Sequence, residues 1–153
     1  MMNKLNIALL LFTLVLGPIR GMAQDTHYPD KIGVVRHNHI ALQVADMKAS
    51  AQFYGELLEL ERIELTDPRL KDIRAWFKIG DQQIHLLAGR TQPVVNDRNG
   101  SHFAVFVADI AQTEAYLKKR EVTYHAQTRF DGVKQIYIAD PDGYLVEFNQ
   151  LVK

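Results

Sequence analysis

With 153 residues, 47% of them apolar, and 18 basic against 18 acidic side chains, the chain has material for one compact core and no surplus charge. That balance, without any Arg/Lys cluster interleaved with aromatics, argues against a nucleic-acid-binding surface. The absence of cysteine excludes disulfides, thiolate metal sites and a cysteine nucleophile together.

The chain opens with Lys4, an apolar run from Ile7 to Leu16, a Gly17-Pro18 break and small residues ending at Ala23. This order is that of a secretory signal peptide covering residues 1–23, with cleavage expected near Ala23 and a short leader over 24–34. The run falls short of the roughly 20 apolar residues that span hydrocarbon, so export to a secreted or periplasmic location is expected, without stable membrane insertion.

From His37 onward the chain is written twice. Sliding it by 63 positions places His39 on His102, Ala41 on Ala104, and Val44-Ala45-Asp46 on Val107-Ala108-Asp109. Each Asp precedes a helix-forming stretch, "MKASAQFYGELLEL" and "IAQTEAYLKKREV", and suits the first free amides of that helix. In the first stretch Met47, Ala51, Tyr54 and Leu58 fall on one stripe, as in a helix packed on a sheet. Three β-like runs follow each helix: "LERIEL", "IRAWFKI" and "QQIHLLA", then "VTYHAQT", "VKQIYIA" and "GYLVEFNQ". "DPDG" at Asp140 to Gly143 is a turn signal before the last of them. The chain is thus expected to be α+β: two βαβββ modules, 35–89 and 101–150, joined by a linker over 90–100 within one domain of residues 35–150.

Allowing a one-residue gap, the slide also sets His85 on Glu147. Four potential metal ligands, His39, His85, His102 and Glu147, then occupy two repeat-equivalent positions. Period-two alternation turns Ile40, Leu42 and Val44 towards the helix and His39, Ala41 and Gln43 away from it. The second copy turns Phe103, Val105 and Val107 inward and His102, Ala104 and Phe106 outward. Paired modules forming a curved mixed sheet would let the four donors converge in a central metal cleft. A carboxylate flanked by apolar residues in "YLVEFN" also calls for a partner, which a cation supplies. His37 is expected at the surface and His27 in the leader. Trp76 and Arg74, on one alternating run, with Phe106 and His125, are candidates for the substrate wall.

The doubled "H-x-A-L/V-x-V-A-D" starts, "FYGELLEL", "GDQQIHLL" and "DPDGYLVEF" resemble the vicinal-oxygen-chelate superfamily of glyoxalases, bleomycin-resistance proteins and extradiol dioxygenases, over residues 35–150. The resemblance implies paired βαβββ modules with a divalent metal between them. It carries its first-strand ligands onto His39 and His102, its fourth-strand ligand onto His85 and its terminal carboxylate onto Glu147. In lactoylglutathione lyases the fourth-strand ligand is often Glu, and His85 departs from that version. The cleft of such proteins forms within one chain or across a dimer, and a homodimer is expected here.

Three imidazoles and one carboxylate suit Zn, Ni, Mn, Co or Fe(II) rather than Ca or Mg. Four protein donors leave two adjacent positions of an octahedral shell, which fit a small substrate with neighbouring oxygens. The expected activity is that of a glyoxalase-like lyase or isomerase, with Glu147 as ligand or base. The alternatives are an Fe(II) extradiol dioxygenase acting on catechols and a drug-binding protein of the bleomycin-resistance kind.

Overall fold

A computed structural model describes residues 32–150. The expected signal peptide and its cleavage point lie outside them. Both modules belong to one compact unit that begins at His37.

The first module runs through β1 (His39–Val44), α1 (Met47–Gln52), β2 (Arg62–Ile63), β3 (Arg74–Ile79) and β4 (Gln82–Ala88). The second repeats the order with β5 (Phe103–Val107), α2 (Ile110–Lys119), β6 (His125–Thr128), β7 (Lys134–Ala139) and β8 (Leu145–Gln150). The expected βαβββ repeat is therefore present, in two four-stranded sheets of order β1-β4-β3-β2 and β5-β8-β7-β6. In each, the first strand lies parallel to the last and the remaining pairings are antiparallel. β1 and β5 are consequently edge strands, each with one neighbour in its sheet.

The Val-Ala-Asp echo has a direct local cause. Asp46 Oδ1 accepts from the Lys48 and Ala49 amides at 2.9 and 3.0 Å, and Asp109 Oδ1 from those of Ala111 and Gln112 at 2.8 and 3.1 Å. Both helices thus begin on the same side-chain cap. α1 passes into a π-helical turn, Phe53–Leu57, closed by Leu58 N–H donating to Phe53 O at 3.0 Å. The turn lays Gly55 against Phe77, where a Cβ would stand 3.2 Å from the ring.

The stripe expected for the first helix is present. Tyr54 is fully buried, with Met47, Ala51 and Leu58 packed around a core of Leu42, Val44, Phe77, Ile84 and Leu86. The second core gathers Ile110, Leu117, Ile136, Ile138, Val146 and Phe148 beneath α2. Each such side chain contributes roughly 1.5–3 kcal/mol by leaving water. Because these residues occupy one face of each sheet, the alternating residues are left on the other, which positions the candidate site.

The modules are fastened to each other by the DPDG turn. Asp142 Oδ1 accepts from the Ala45 amide at 2.9 Å and Oδ2 from Ser50 Oγ at 3.3 Å, while Asp140 Oδ2 accepts from Tyr54 OH at 2.9 Å. The Asp142 and Tyr144 amides donate to Asp140 Oδ1 at 2.9 and 2.8 Å. Burial raises the Asp140 carboxyl above its usual range, only partly offset by the hydrogen bonds from Tyr54 and these two amides. Burial, then the charge of Asp140, pushes the Tyr54 phenol far upward. Among the described residues no helix is long and apolar enough to cross a membrane.

Candidate metal centre

The open face of the first sheet carries His39, Trp76 and His85. Trp76 and His85 are register partners across β3 and β4, and their rings stack at 4.1 Å with 8° between planes. His39 stacks on the same imidazole at 4.1 Å and 16°. Burial, then the neighbouring His39, lowers the His85 pKa and favours the neutral ring that metal binding requires. Each histidine spends one nitrogen on an amide oxygen. His39 Nδ1 donates to Asn38 Oδ1 at 2.6 Å and His85 Nε2 to Gln83 Oε1 at 2.7 Å, so in the neutral rings the opposite nitrogens carry the lone pairs.

The second sheet pairs His102 with Glu147, and their charge pattern is more demanding. His102 Nδ1 donates to the Gly100 carbonyl at 2.9 Å, which leaves Nε2 of a neutral ring as a bare lone pair. That nitrogen stands 2.8 Å from Glu147 Oε2, so something positive, a proton or a metal ion, must lie between two acceptors. Glu147 is only 5% exposed. Burial works to raise its pKa, but hydrogen bonds from Asn149, Tyr137 and His102 outweigh this and hold it below the usual glutamate range.

The four expected ligands therefore form two pairs, one per module. Among the described residues no three His, Asp or Glu side chains come together to hold a metal ion. The donors themselves fit a transition metal: two imidazoles on one side, an imidazole and a carboxylate on the other. A four-donor centre requires the two pairs to meet.

The remaining candidates divide by environment. Trp76 is engaged by stacking on His85, and its buried indole N–H has no hydrogen-bond partner. Arg74 Nη1 donates to the Ile73 carbonyl at 2.8 Å, beside the sheet face where Trp76 lies. Phe106 is 71% exposed on β5, on the side opposite Val105 as the alternation requires. His125 contacts the Arg98 guanidinium and faces the Tyr137 ring at 6.4 Å. His37 lies at the surface, its Nδ1 2.8 Å from Gln82 Oε1. The grooves beside β5 are apolar in part: about 490 Å³ between the β3–β4 turn and Phe103–Phe106, and about 410 Å³ lined by Leu57, Ile84, Val105 and Phe148. Neither includes any of the four donors.

The sequence reading passed over the amides around Glu147. Gln135 Nε2 and Asn149 Nδ2 both donate to Glu147 Oε1, the latter at 2.8 Å. Period-two counting from Glu147 reaches Asn149, and counting between Ile136 and Ile138 reaches Gln135 and Tyr137. That signal was legible once the face of Glu147 was fixed.

The sequence profile of the glyoxalase/bleomycin resistance protein/dioxygenase superfamily matches residues 36–148. Among curated proteins, YwbC of Bacillus subtilis (strain 168) is 28% identical over 122 residues, covering 75% of this chain and 97% of YwbC. Among solved structures, a glyoxalase family protein from Bacillus anthracis superposes with a TM-score of 0.64 at 26% identity, covering 78% of this chain and 97% of that one. A lactoylglutathione lyase from Agrobacterium tumefaciens shares the fold at a TM-score of 0.60 and 24% identity, over 75% of this chain and 92% of its own. With the doubled βαβββ architecture and the profile match across nearly all of its two modules, the chain belongs to the glyoxalase/bleomycin resistance protein/dioxygenase superfamily.

Proposed function

We propose that this chain is an exported, metal-dependent enzyme of the vicinal-oxygen-chelate type: a glyoxalase-like lyase or isomerase acting on a small substrate with two neighbouring oxygens. The observation that carries this reading is the His102–Glu147 contact, where an imidazole nitrogen and a carboxylate oxygen converge 2.8 Å apart on the open face of the sheet. Its repeat-equivalent, the His39–His85 pair, occupies the same face of the other module.

His39, His85, His102 and Glu147 would hold one divalent ion such as Zn, Ni, Mn, Co or Fe(II), which supplies Lewis-acid stabilisation of an oxyanion on the substrate. Trp76 stiffens the first pair by stacking. Arg74, Phe106 and His125 supply cationic, apolar and polar patches of wall for the substrate. Export rests on the Lys4, Ile7–Leu16 and Ala23 pattern.

A homodimer completes the centre. β1 and β5 are both edge strands. Each carries or adjoins the first donor of its pair, so a second copy laid edge to edge brings one module's histidines to the other's carboxylate. The test is elemental analysis of purified protein together with sedimentation. The reading expects about one transition-metal equivalent per chain, in a dimer. Metal-free protein after refolding with Zn, Ni, Mn, Co or Fe(II) would sink it.

The Fe(II) extradiol dioxygenase is the second reading, favoured by a carboxylate and imidazoles of the type used in 2-His-1-carboxylate iron sites. Oxygen uptake with catechol distinguishes it from the lyase. Tight binding of an antibiotic without turnover, unaffected by His102→Ala, would instead indicate a drug-binding protein.

A further inference from the structure

We propose that Gln135 and Asn149 are positioning residues that hold Glu147 by its Oε1, so that Oε2, beside His102, is the one oxygen it offers to a bound cation. The inference rests on the metal-site reading and narrows it, because a carboxylate could otherwise offer either or both of its oxygens to the cation.

The argument starts from register. Gln135 on β7 is the partner of Asn149 on β8, and Tyr137 is the partner of Glu147. Ile136, Ile138, Val146 and Phe148 fill the core beneath α2, so these four polar residues share the opposite face. Gln135 is only 4% exposed, an unusual place for an amide unless its polar atoms are spent.

They are spent in one direction. Gln135 Nε2 donates to Glu147 Oε1, with a longer contact to Asn149 Oδ1 at 3.3 Å. Asn149 Nδ2 donates to that same Oε1 at 2.8 Å. Gln135 Oε1 accepts from Gln127 Nε2 at 3.0 Å, and Gln127 Oε1 accepts from Arg98 Nη1 at 3.2 Å. Donors thus run from the guanidinium through two amides to the carboxylate, each bond polarising the next. This chain also fixes the Gln135 amide: turned over, it would set its oxygen against Glu147 and its N–H₂ against Gln127.

Two N–H donors occupy Glu147 Oε1, while Oε2 stands 2.8 Å from His102 Nε2. The Tyr137 hydroxyl adds a further hydrogen bond to the same carboxylate. The carboxylate is thus held from the β7 side, with Oε2 set towards the place where a cation would be bound.

The test uses the full protein and Co(II), whose visible absorption reports the ligand set, with urea midpoints recorded in parallel. Gln135→Met and Asn149→Leu should each weaken Co(II) binding by about 10- to 100-fold, the range for partners that orient a ligand, and should shift the Co(II) bands. If Gln135→Met fails to fold, Asn149→Leu, at a half-buried position, carries the test. Variants that lose stability but keep the wild-type affinity and spectrum would overturn the proposal and leave the metal site standing. A wild-type protein that binds no Co(II) would overturn both.

Discussion

Tyr54 and Asp140, 86 residues apart in the chain, meet inside the protein through a 2.9 Å hydrogen bond from phenol to carboxylate. One lies in the π-helical turn of the first module and the other opens the turn before the last strand of the second. The contact, with those of Asp142 to Ala45 and Ser50, ties the two repeats together.

Removing the hydroxyl should show what the tie contributes. Tyr54→Phe keeps the ring in the core but deprives a buried carboxyl of one donor, at an expected cost of about 1–3 kcal/mol. Urea unfolding at neutral pH measures it, and a variant as stable as wild type would show that the phenol merely fills space.

Asp140 gives the tie a pH signature. Its folded pKa is raised, so the native state binds the proton more tightly than the unfolded chain. That contribution is fully present below the ordinary aspartate value of about 3.9 and is lost as pH rises through the folded value. The stability of wild type relative to Asp140→Asn should therefore be most favourable near pH 4 and decline towards neutrality. Urea midpoints of both proteins across this range test the sign, and a difference growing towards neutral pH would reverse it.

Gly143 should tolerate no side chain. Its φ is +96°, and a Cβ there would lie 2.9 Å from the Val94 carbonyl oxygen. Gly143→Ala thus combines left-handed backbone strain with a backbone clash, and an expected loss of about 1–3 kcal/mol should appear as a lowered thermal midpoint.

The metal centre predicts unequal effects of two similar substitutions. Glu147→Gln should weaken Co(II) or Zn(II) binding by at least about 10-fold, whereas Glu121→Gln, beyond the end of α2, should leave it unchanged. Trp76 is the sole tryptophan and stacks on His85, so its emission should respond to Co(II) in wild type and not in His85→Ala. Equal affinities for the two Glu variants would remove Glu147 from the site.

Much of this was legible in the sequence because it follows from period and repetition. The alternation assigned His39 and His102 to the sheet faces away from the helices, and the repeated Asp marked both caps. Pairings between distant elements leave no such trace. Nothing in the spacing of Tyr54 and Asp140 announces their contact, and the stacking of Trp76 on His85 depends on the β3–β4 register. Alternation puts Gln135 and Asn149 on the face of Glu147, but polar residues there resemble residues facing solvent, and their convergence on one carboxylate oxygen depends on the β7–β8 register.

The outer rim of β5 has a practical consequence. The segment Phe-Ala-Val-Phe-Val bears backbone amides and carbonyls that no other strand of its sheet receives, together with an aromatic ring 71% exposed. Such a border is adhesive, and few devices blunt it: no lysine, proline or bulge interrupts these five residues. Any change that separates the copies bares this border and should promote clumping, whereas Phe106→Lys, on its exposed face, should keep the separated chain in solution.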